Sequence, residues 1–414
     1  FQRYHPFDGK KPQDERWGEA RYLAMVLKPD ASISVVDLGD AEVLERAIAT
    51  AVNTSKEAQV DAAGRLKQVS KLVIDPLSRA IAGAKTLFVS PDGELNRLPF
   101  AALQATGNRG YLAEVFDLRL LTTGRELLDL QKPSKPSKSA VLVVADPDYD
   151  RGAPGLVQVD KVAPKTLASR RVERQRSSDL SEELKWKPLA ATAKEGESIA
   201  SLTSGSLLMQ EKATAEAVKR IPAPKVLHLA THAFYLPNQP EQELSGDRTN
   251  FSDQRRSSGV VQTSGLRGES PLLRSGIAMA GANQPKANPN DDGYLTALEV
   301  AQLDWEGTDL VVISACESGL GDIQTGEGVY GLKRAIAVAG ARSSLLSLWK
   351  VDDYATKTFM ESFYQRLKEG KGKAEALAET QKQFRESPVM PAYEHPYYWA
   401  AFQLSGDWGP VEAL

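Results

Sequence analysis

With 414 residues, 42 % of them apolar and a formal charge of −3, the chain can bury a sizeable core and is too long for one small domain. The balanced charge argues against a nucleic-acid binder, and no apolar run approaches the ~18 residues of a membrane span. A single cysteine excludes an internal disulfide and suits a reducing, cytoplasmic setting. The first residue is Phe1 and no signal peptide follows, which reads as a fragment lacking its natural amino terminus.

Tyr22–Leu27 and Ser32–Leu38 read as two strands around the turn Lys28-Pro29-Asp30. Helical spacing covers Asp40–Val52 and Asp61–Ile74, the second closed by Asp75-Pro76. Strands are expected at Thr86–Ser90, Asp117–Leu121 and Ser139–Ala145, with a short helix from Gly124 to Leu130. This stretch, 1–145, holds no cysteine and only His5, so it is an α/β unit without chemistry of its own. Residues 146–188, with Pro147, Pro154, Pro164 and the basic run Ser169–Arg176, read as a linker or long solvated loop.

From 189 to 414 the alternation of strands and helices resumes. Ala193–Leu202 and Ala213–Arg220 are expected helices, and Lys225–Ala233 an apolar strand with His232 at its far end. An insertion, 238–292, is mostly polar and is interrupted by the apolar strand Gly276–Ala280. A helix over Leu295–Leu303 precedes Leu310–Ile313, a short apolar run that reads as a strand buried on both faces. Glu327–Ala339 is a helix, Ser344–Trp349 a strand, Ala355–Lys368 and Ala374–Phe384 amphipathic helices, and Tyr397–Leu404 the closing strand.

The one cysteine, Cys316, stands where the 310–313 strand gives way to small residues and glycines. Sites in open α/β sheets form at the carboxyl ends of strands. If the His232 and Cys316 strands are parallel neighbours, thiol and imidazole emerge on one edge. An imidazole is the usual base for a nucleophilic thiol, and such dyads meet in space, so 316 − 232 = 84 residues of separation is no obstacle.

Two other chemistries compete. Gly326-Glu327-Gly328-Val329-Tyr330-Gly331 fits the dinucleotide fingerprint, with Asp352 beyond the next strand. Against it, nine residues separate Cys316 from Gly326, and Glu327 would set a carboxylate against a pyrophosphate. A metal at His228 and His232 fails on geometry, because four strand residues span ~13 Å. His228 reads instead as an in-strand residue bonded to a neighbour. No metal and no other cofactor is expected.

Several blocks together resemble the CHAT family of caspase-like proteases. They are His228–Ala233, Val311–Gly321, Gly326–Leu332, Ser344–Asp353 and His395–Phe402, joined in the first part by Ser90–Gly93, Leu98–Leu103 and Thr123–Leu128. The resemblance implies a mostly parallel, helix-flanked caspase-like sheet, with an amino-terminal pseudo-protease half packed on a carboxyl-terminal active half. It also implies a cysteine endopeptidase with His232 as base and Cys316 as nucleophile; for that chemistry the backbone N–H groups of Ala233 and Cys316 are the candidates to hold the oxyanion. Glu317, Asp322, Asp352 and Asp353 are candidates for an acidic substrate pocket. Ser314-Ala315-Cys316-Glu317-Ser318 departs from the caspase signature, so cleavage after Asp is not implied. The expected partners are a protein or peptide substrate and a regulatory partner or tetratricopeptide-repeat region, with no nucleic acid and no membrane. The alternative function is an idle caspase-like signalling or scaffold module.

Overall fold

The computed structural model describes residues 1–12, 15–107, 109–152, 185–236, 271–288, 290–314, 327–412 and 414. The amino-terminal sheet joins β1 (Gln2–Tyr4), β2 (Arg21–Leu27) and β3 (Ile33–Asp40), antiparallel throughout. Asp40 then starts the helix Ala41–Lys56 as its N-cap, accepting from the Val43 N–H at 3.0 Å.

The chain next supplies β4 (Thr86–Val89), β5 (Asp117–Leu120), β6 (Leu142–Pro147), β7 (Ser206–Gln210) and β8 (Val226–Ala230) to a large sheet. It leaves for a small antiparallel sheet of β9 (Ala233–Tyr235), β10 (Ser275–Ala278) and β11 (Tyr294–Thr296). It then returns with β12 (Leu310–Ile313), β13 (Ser343–Ser347) and β14 (Phe402–Gly406). The large sheet has the order β4-β5-β14-β13-β12-β8-β6-β7. Among its pairings only β13–β14 is antiparallel, so β6, β7, β8, β12 and β13 all end on one rim. This is the mostly parallel α/β sheet expected from the sequence. Strands from before residue 146 and after it share it, with β6 lying between β8 and β7.

Helices cover both faces, which is why β12 carries no polar residue. Leu310 and Val312 join the core that holds Phe359 and Phe363 of the helix Asp353–Lys368. Val311 and Ile313 join the opposite core, with Leu332 and Ile336 of the helix Glu327–Val338. The helix Thr192–Thr203 lies so close to β6 that a Cβ on Gly196 would overlap the Ala145 side chain.

Three sequence expectations change. Lys225–Ala233 is not one strand: β8 stops at Ala230, and Ala233 opens β9 in the other sheet. The Thr231 hydroxyl donates to the Ala278 carbonyl at 2.7 Å, and the His232 carbonyl accepts from the Ala278 N–H at 2.9 Å, drawing the chain onto β10. Leu295–Leu303 splits into the end of β11 and a helix limited to Ala297–Val300. The helix begins at a capping box in which Thr296 and Glu299 bond each other's backbone N–H. Tyr397–Leu404 likewise divides into the helix Pro396–Trp399 and the start of β14.

The linker expected over 146–188 is structural at both described ends. Pro147 completes β6, and Tyr149 and Trp186 are buried. Its basic run, 169–176, and residues 238–270 of the expected insertion lie outside the described residues.

Candidate active site

β8 and β12 are parallel neighbours, with Leu229 opposite Ile313. The Ser314 N–H donates to the Leu229 carbonyl at 3.1 Å and continues the ladder by one bond. Both chains therefore leave the sheet on the same rim, with His232 three residues past Leu229 (232 − 229 = 3). Cys316, Glu317 and Asp322 lie outside the described residues, as does Gly326 of the glycine-rich motif.

The His232 side chain is enclosed; the residue is only 1 % exposed. Its Nε2 lies 2.6 Å from the backbone carbonyl oxygen of Lys187. A carbonyl can only accept, so Nε2 carries the hydrogen and the lone pair of the neutral ring sits on Nδ1. Tyr149 and Trp186 flank the imidazole, each with its ring centroid 5.3 Å away. Tyr149 donates its hydroxyl to Thr231 Oγ1 at 2.8 Å, since Thr231 has already given its proton to Ala278. The Trp186 indole N–H donates to the Tyr294 hydroxyl at 3.1 Å, and Tyr294 donates onward to the Ala282 carbonyl at 3.0 Å. Asn283 bonds the backbone of Trp186 at both ends: Oδ1 accepts from its N–H at 2.7 Å and Nδ2 donates to its carbonyl at 2.9 Å.

Ala233 is the first residue of β9, the edge strand of the small sheet. The bond from Ala278 N–H to the His232 carbonyl makes Ala233 and Ile277 a non-hydrogen-bonded pair. The Ala233 N–H consequently points away from β10, toward the edge where no strand pairs among the described residues.

Asp352 and Asp353 follow β13, on the rim where β8 and β12 end. Asp352 caps the helix Asp353–Lys368, accepting from the Ala355 N–H at 2.9 Å. Asp353 accepts from the Ala190 N–H at 3.0 Å and so ties the segment after Lys187 to that helix. Both carboxylates thus have structural bonds of their own.

His228 takes no part in this constellation. It is buried on the other face of β8, with Nε2 3.0 Å from Glu195 Oε1 and Nδ1 3.1 Å from the Tyr364 hydroxyl. The carboxylate accepts from Nε2–H, and Tyr364 donates to Nδ1. Burial, followed by the nearby Glu195 charge, holds the Tyr364 phenol well above its ordinary pKa, so it keeps its proton. This matches the expected in-strand residue bonded to a neighbour.

Sequence reasoning missed Lys187, Trp186, Tyr149 and Asn283. A tryptophan inside a polar stretch was the available signal, since Trp seldom stands in a solvated loop without an anchoring role. The Lys187 contact is made by backbone and leaves no mark on residue type. A cavity of about 710 Å³ is lined by Phe116, Leu118 and Phe402 at β5 and β14 and by Leu377 of the helix Lys373–Arg385, among others. None of its lining residues belongs to the surroundings of His232.

The CHAT domain model matches residues 64–407. Human tetratricopeptide repeat protein 28 is 27 % identical over 349 residues, covering 82 % of this chain, and its mouse counterpart is 24 % identical over 355 residues, also 82 %. The chain spans 13 % of the length of each of these relatives. A Saccharomyces cerevisiae separase–securin crystal structure aligns with TM-score 0.39 at 11 % identity, over 92 % of this chain and 21 % of that one.

Proposed function

The chain belongs to the CHAT domain family, and from that premise we infer that it is a cysteine endopeptidase acting through Cys316 and His232. The observation that carries the reading is the register of β8 and β12. His232 follows Leu229 by three residues and Cys316 follows the paired Ile313 by three (316 − 313 = 3), on strands that run the same way. Equal offsets past a shared rung favour a thiol and an imidazole side by side.

With Nε2–H committed to the Lys187 carbonyl, Nδ1 is the atom available as base. It takes the thiol proton, and the thiolate attacks the scissile carbonyl carbon. The N–H groups of Ala233 and Cys316 stabilise the tetrahedral oxyanion, a role the outward direction of the Ala233 N–H supports. The imidazolium returns the proton to the leaving amine, and water then hydrolyses the thioester. The Lys187 carbonyl orients the ring, the task a third residue performs in triads.

In this reading residues 1–145 form the pseudo-protease part and 189–414 the active part. Glu317, Asp322, Asp352 and Asp353 contribute to substrate recognition, with the last two acting from the rim where β13 ends. The enzyme works in the cytoplasm, latent until a partner or repeat region orders the site. The names of the relatives, tetratricopeptide repeat proteins, support such a region. Among the described residues no helix is long and apolar enough to cross a membrane.

The test is cleavage of a fluorogenic peptide library by the wild-type chain and by Cys316→Ala and His232→Ala, alongside labelling with a thiol-reactive peptidyl probe. Both variants are expected to lose cleavage by about 10²-fold or more, and only Cys316→Ala to lose labelling outright. Cleavage undiminished by Cys316→Ala overturns the reading.

A further inference from the structure

Three separate elements meet at His232, and one side chain holds them together. The walls of the imidazole are Tyr149, just after β6, and Trp186, at the start of the segment leading to the helix Thr192–Thr203. Asn283 follows β10 and is 5 % exposed. Its own N–H donates to the Tyr149 carbonyl at 2.9 Å. Its amide brackets Trp186, accepting from the N–H at 2.7 Å and donating to the carbonyl at 2.9 Å, and Nδ2 also donates to Asp150 Oδ1 at 2.9 Å. The Trp186 carbonyl belongs to the peptide unit that leads into Lys187, whose own carbonyl receives the His232 Nε2–H.

We propose that Asn283 is a positioning residue for His232: its side-chain amide fixes the Trp186–Lys187 peptide and thereby sets the ring's orientation and tautomer. This deepens the peptidase reading and rests on it. An amide suits the place because the Trp186 backbone presents one donor and one acceptor, and Asn supplies one of each in a planar group. Ala supplies neither. Asp supplies only acceptors when ionised, and its second oxygen would face both the Trp186 carbonyl and the Asp150 carboxylate. Charged groups bonded to Asn283 among the described residues are Asp150 and Lys185, the latter donating to the Asn283 carbonyl at 3.4 Å. If the Lys187 carbonyl drifts, Nε2–H loses its acceptor and Nδ1–H becomes an equally good tautomer. A ring in that form has no lone pair where the thiol proton must go.

Two readouts test this in the full chain. With ¹⁵N-labelled histidine, only His5, His228, His232 and His395 contribute signals, so the His232 tautomer is resolved directly. The wild type is expected to show Nε2–H, and Asn283→Ala a mixture. Peptide cleavage by Asn283→Ala should fall in kcat by about 10²-fold with KM within about twofold, the scale of a misoriented catalytic group. Asn283→Asp should be as poor at about pH 8, and its activity relative to wild type should rise about tenfold by pH 5.5 as protonation restores the donor.

A folded Asn283→Ala with the wild-type tautomer and kcat overturns the proposal, as does a flat Asp-to-wild-type ratio across that range. If the Ala variant does not fold, the Asp variant decides by the same two measurements. Failure of the peptidase reading looks different: neither wild type nor variant then cleaves, Cys316→Ala changes nothing, and the tautomer spectrum still judges Asn283.

Discussion

The carbonyl oxygen of Lys187 lies 2.6 Å from Nε2 of His232, while the lysine side chain stands in solvent. The contact depends on where the backbone runs, and the backbone runs there because Trp186 is driven inward. Trp186 packs against His232, Phe234 and Tyr294 and leaves its indole N–H on a hydroxyl.

Trp186→Ala is therefore expected to cost about 3 kcal/mol of stability and most of the peptide cleavage. Trp186→Phe keeps the ring and loses the bond to Tyr294, at about 1 kcal/mol. Urea unfolding of the three proteins gives the order wild type, Phe, Ala. Equal midpoints for wild type and Ala would remove Trp186 from the account.

Gly276 lies in the middle strand of the small sheet, between the strand that starts at Ala233 and the one that ends at Thr296. A Cβ there would sit 2.7 Å from the Leu295 carbonyl and 2.8 Å from the Phe234 ring. Gly276→Ala should destabilise by about 1–3 kcal/mol and reduce cleavage by displacing β9 and its N–H groups. A crystal structure of the variant with β9 unmoved and full activity would contradict this.

The network of His228, Glu195 and Tyr364 is fully buried, and neither ring hydrogen bond of His228 goes to His232 or to Lys187. Tyr364→Phe removes the donor to Nδ1, costing about 1–3 kcal/mol for the acceptor left unmet. Glu195→Ala leaves His228 Nε2–H without its acceptor, at a similar or larger cost. Neither variant should change the His232 tautomer. Denaturant midpoints read the first effect and histidine ¹⁵N shifts the second, and a changed His232 spectrum would show that the two histidines are coupled.

Lys333, in the helix Glu327–Val338, is buried with its ammonium 3.5 Å from the Leu121 carbonyl. Burial pulls its pKa down to about 8 from 10.5, partly opposed by Glu126. Between those values the unfolded chain holds a proton that the folded one has released, so this group makes stability rise with pH. Below about 8 the contribution is lost. The full swing is about 3 kcal/mol. Lys333→Met should abolish the rise, so the stability difference between variant and wild type, followed by urea unfolding from pH 7 to 10.5, should shrink with pH. A difference independent of pH would mean that Lys333 is not desolvated.

What the sequence disclosed follows from how far each signal reaches along the chain. Leu310–Ile313 announced a strand covered on both faces because four apolar residues in a row have one explanation there, and the helices Asp353–Lys368 and Lys373–Arg385 announced themselves by periodicity. The break at Thr231 is invisible in the sequence, because no Gly, Pro, Asn or Asp interrupts Leu227–Ala233 across a change of sheet that bonds with Ala278 impose. Tyr149 and Trp186 fall in a stretch whose polar neighbours read as a linker, yet both are buried and bonded to Asn283, more than ninety residues further along the chain. His232 stands out in the sequence as a candidate from its expected place at a strand end; what holds its ring does not.

Tyr149 and Trp186 stand at opposite ends of the 153–184 stretch, and both are pinned to Asn283 by hydrogen bonds and to each other's neighbourhood by packing. A backbone severed between them would consequently yield two fragments that stay docked, migrating as one species under native conditions and as two in detergent. Proteolytic nicking there leaves both walls of the imidazole in place.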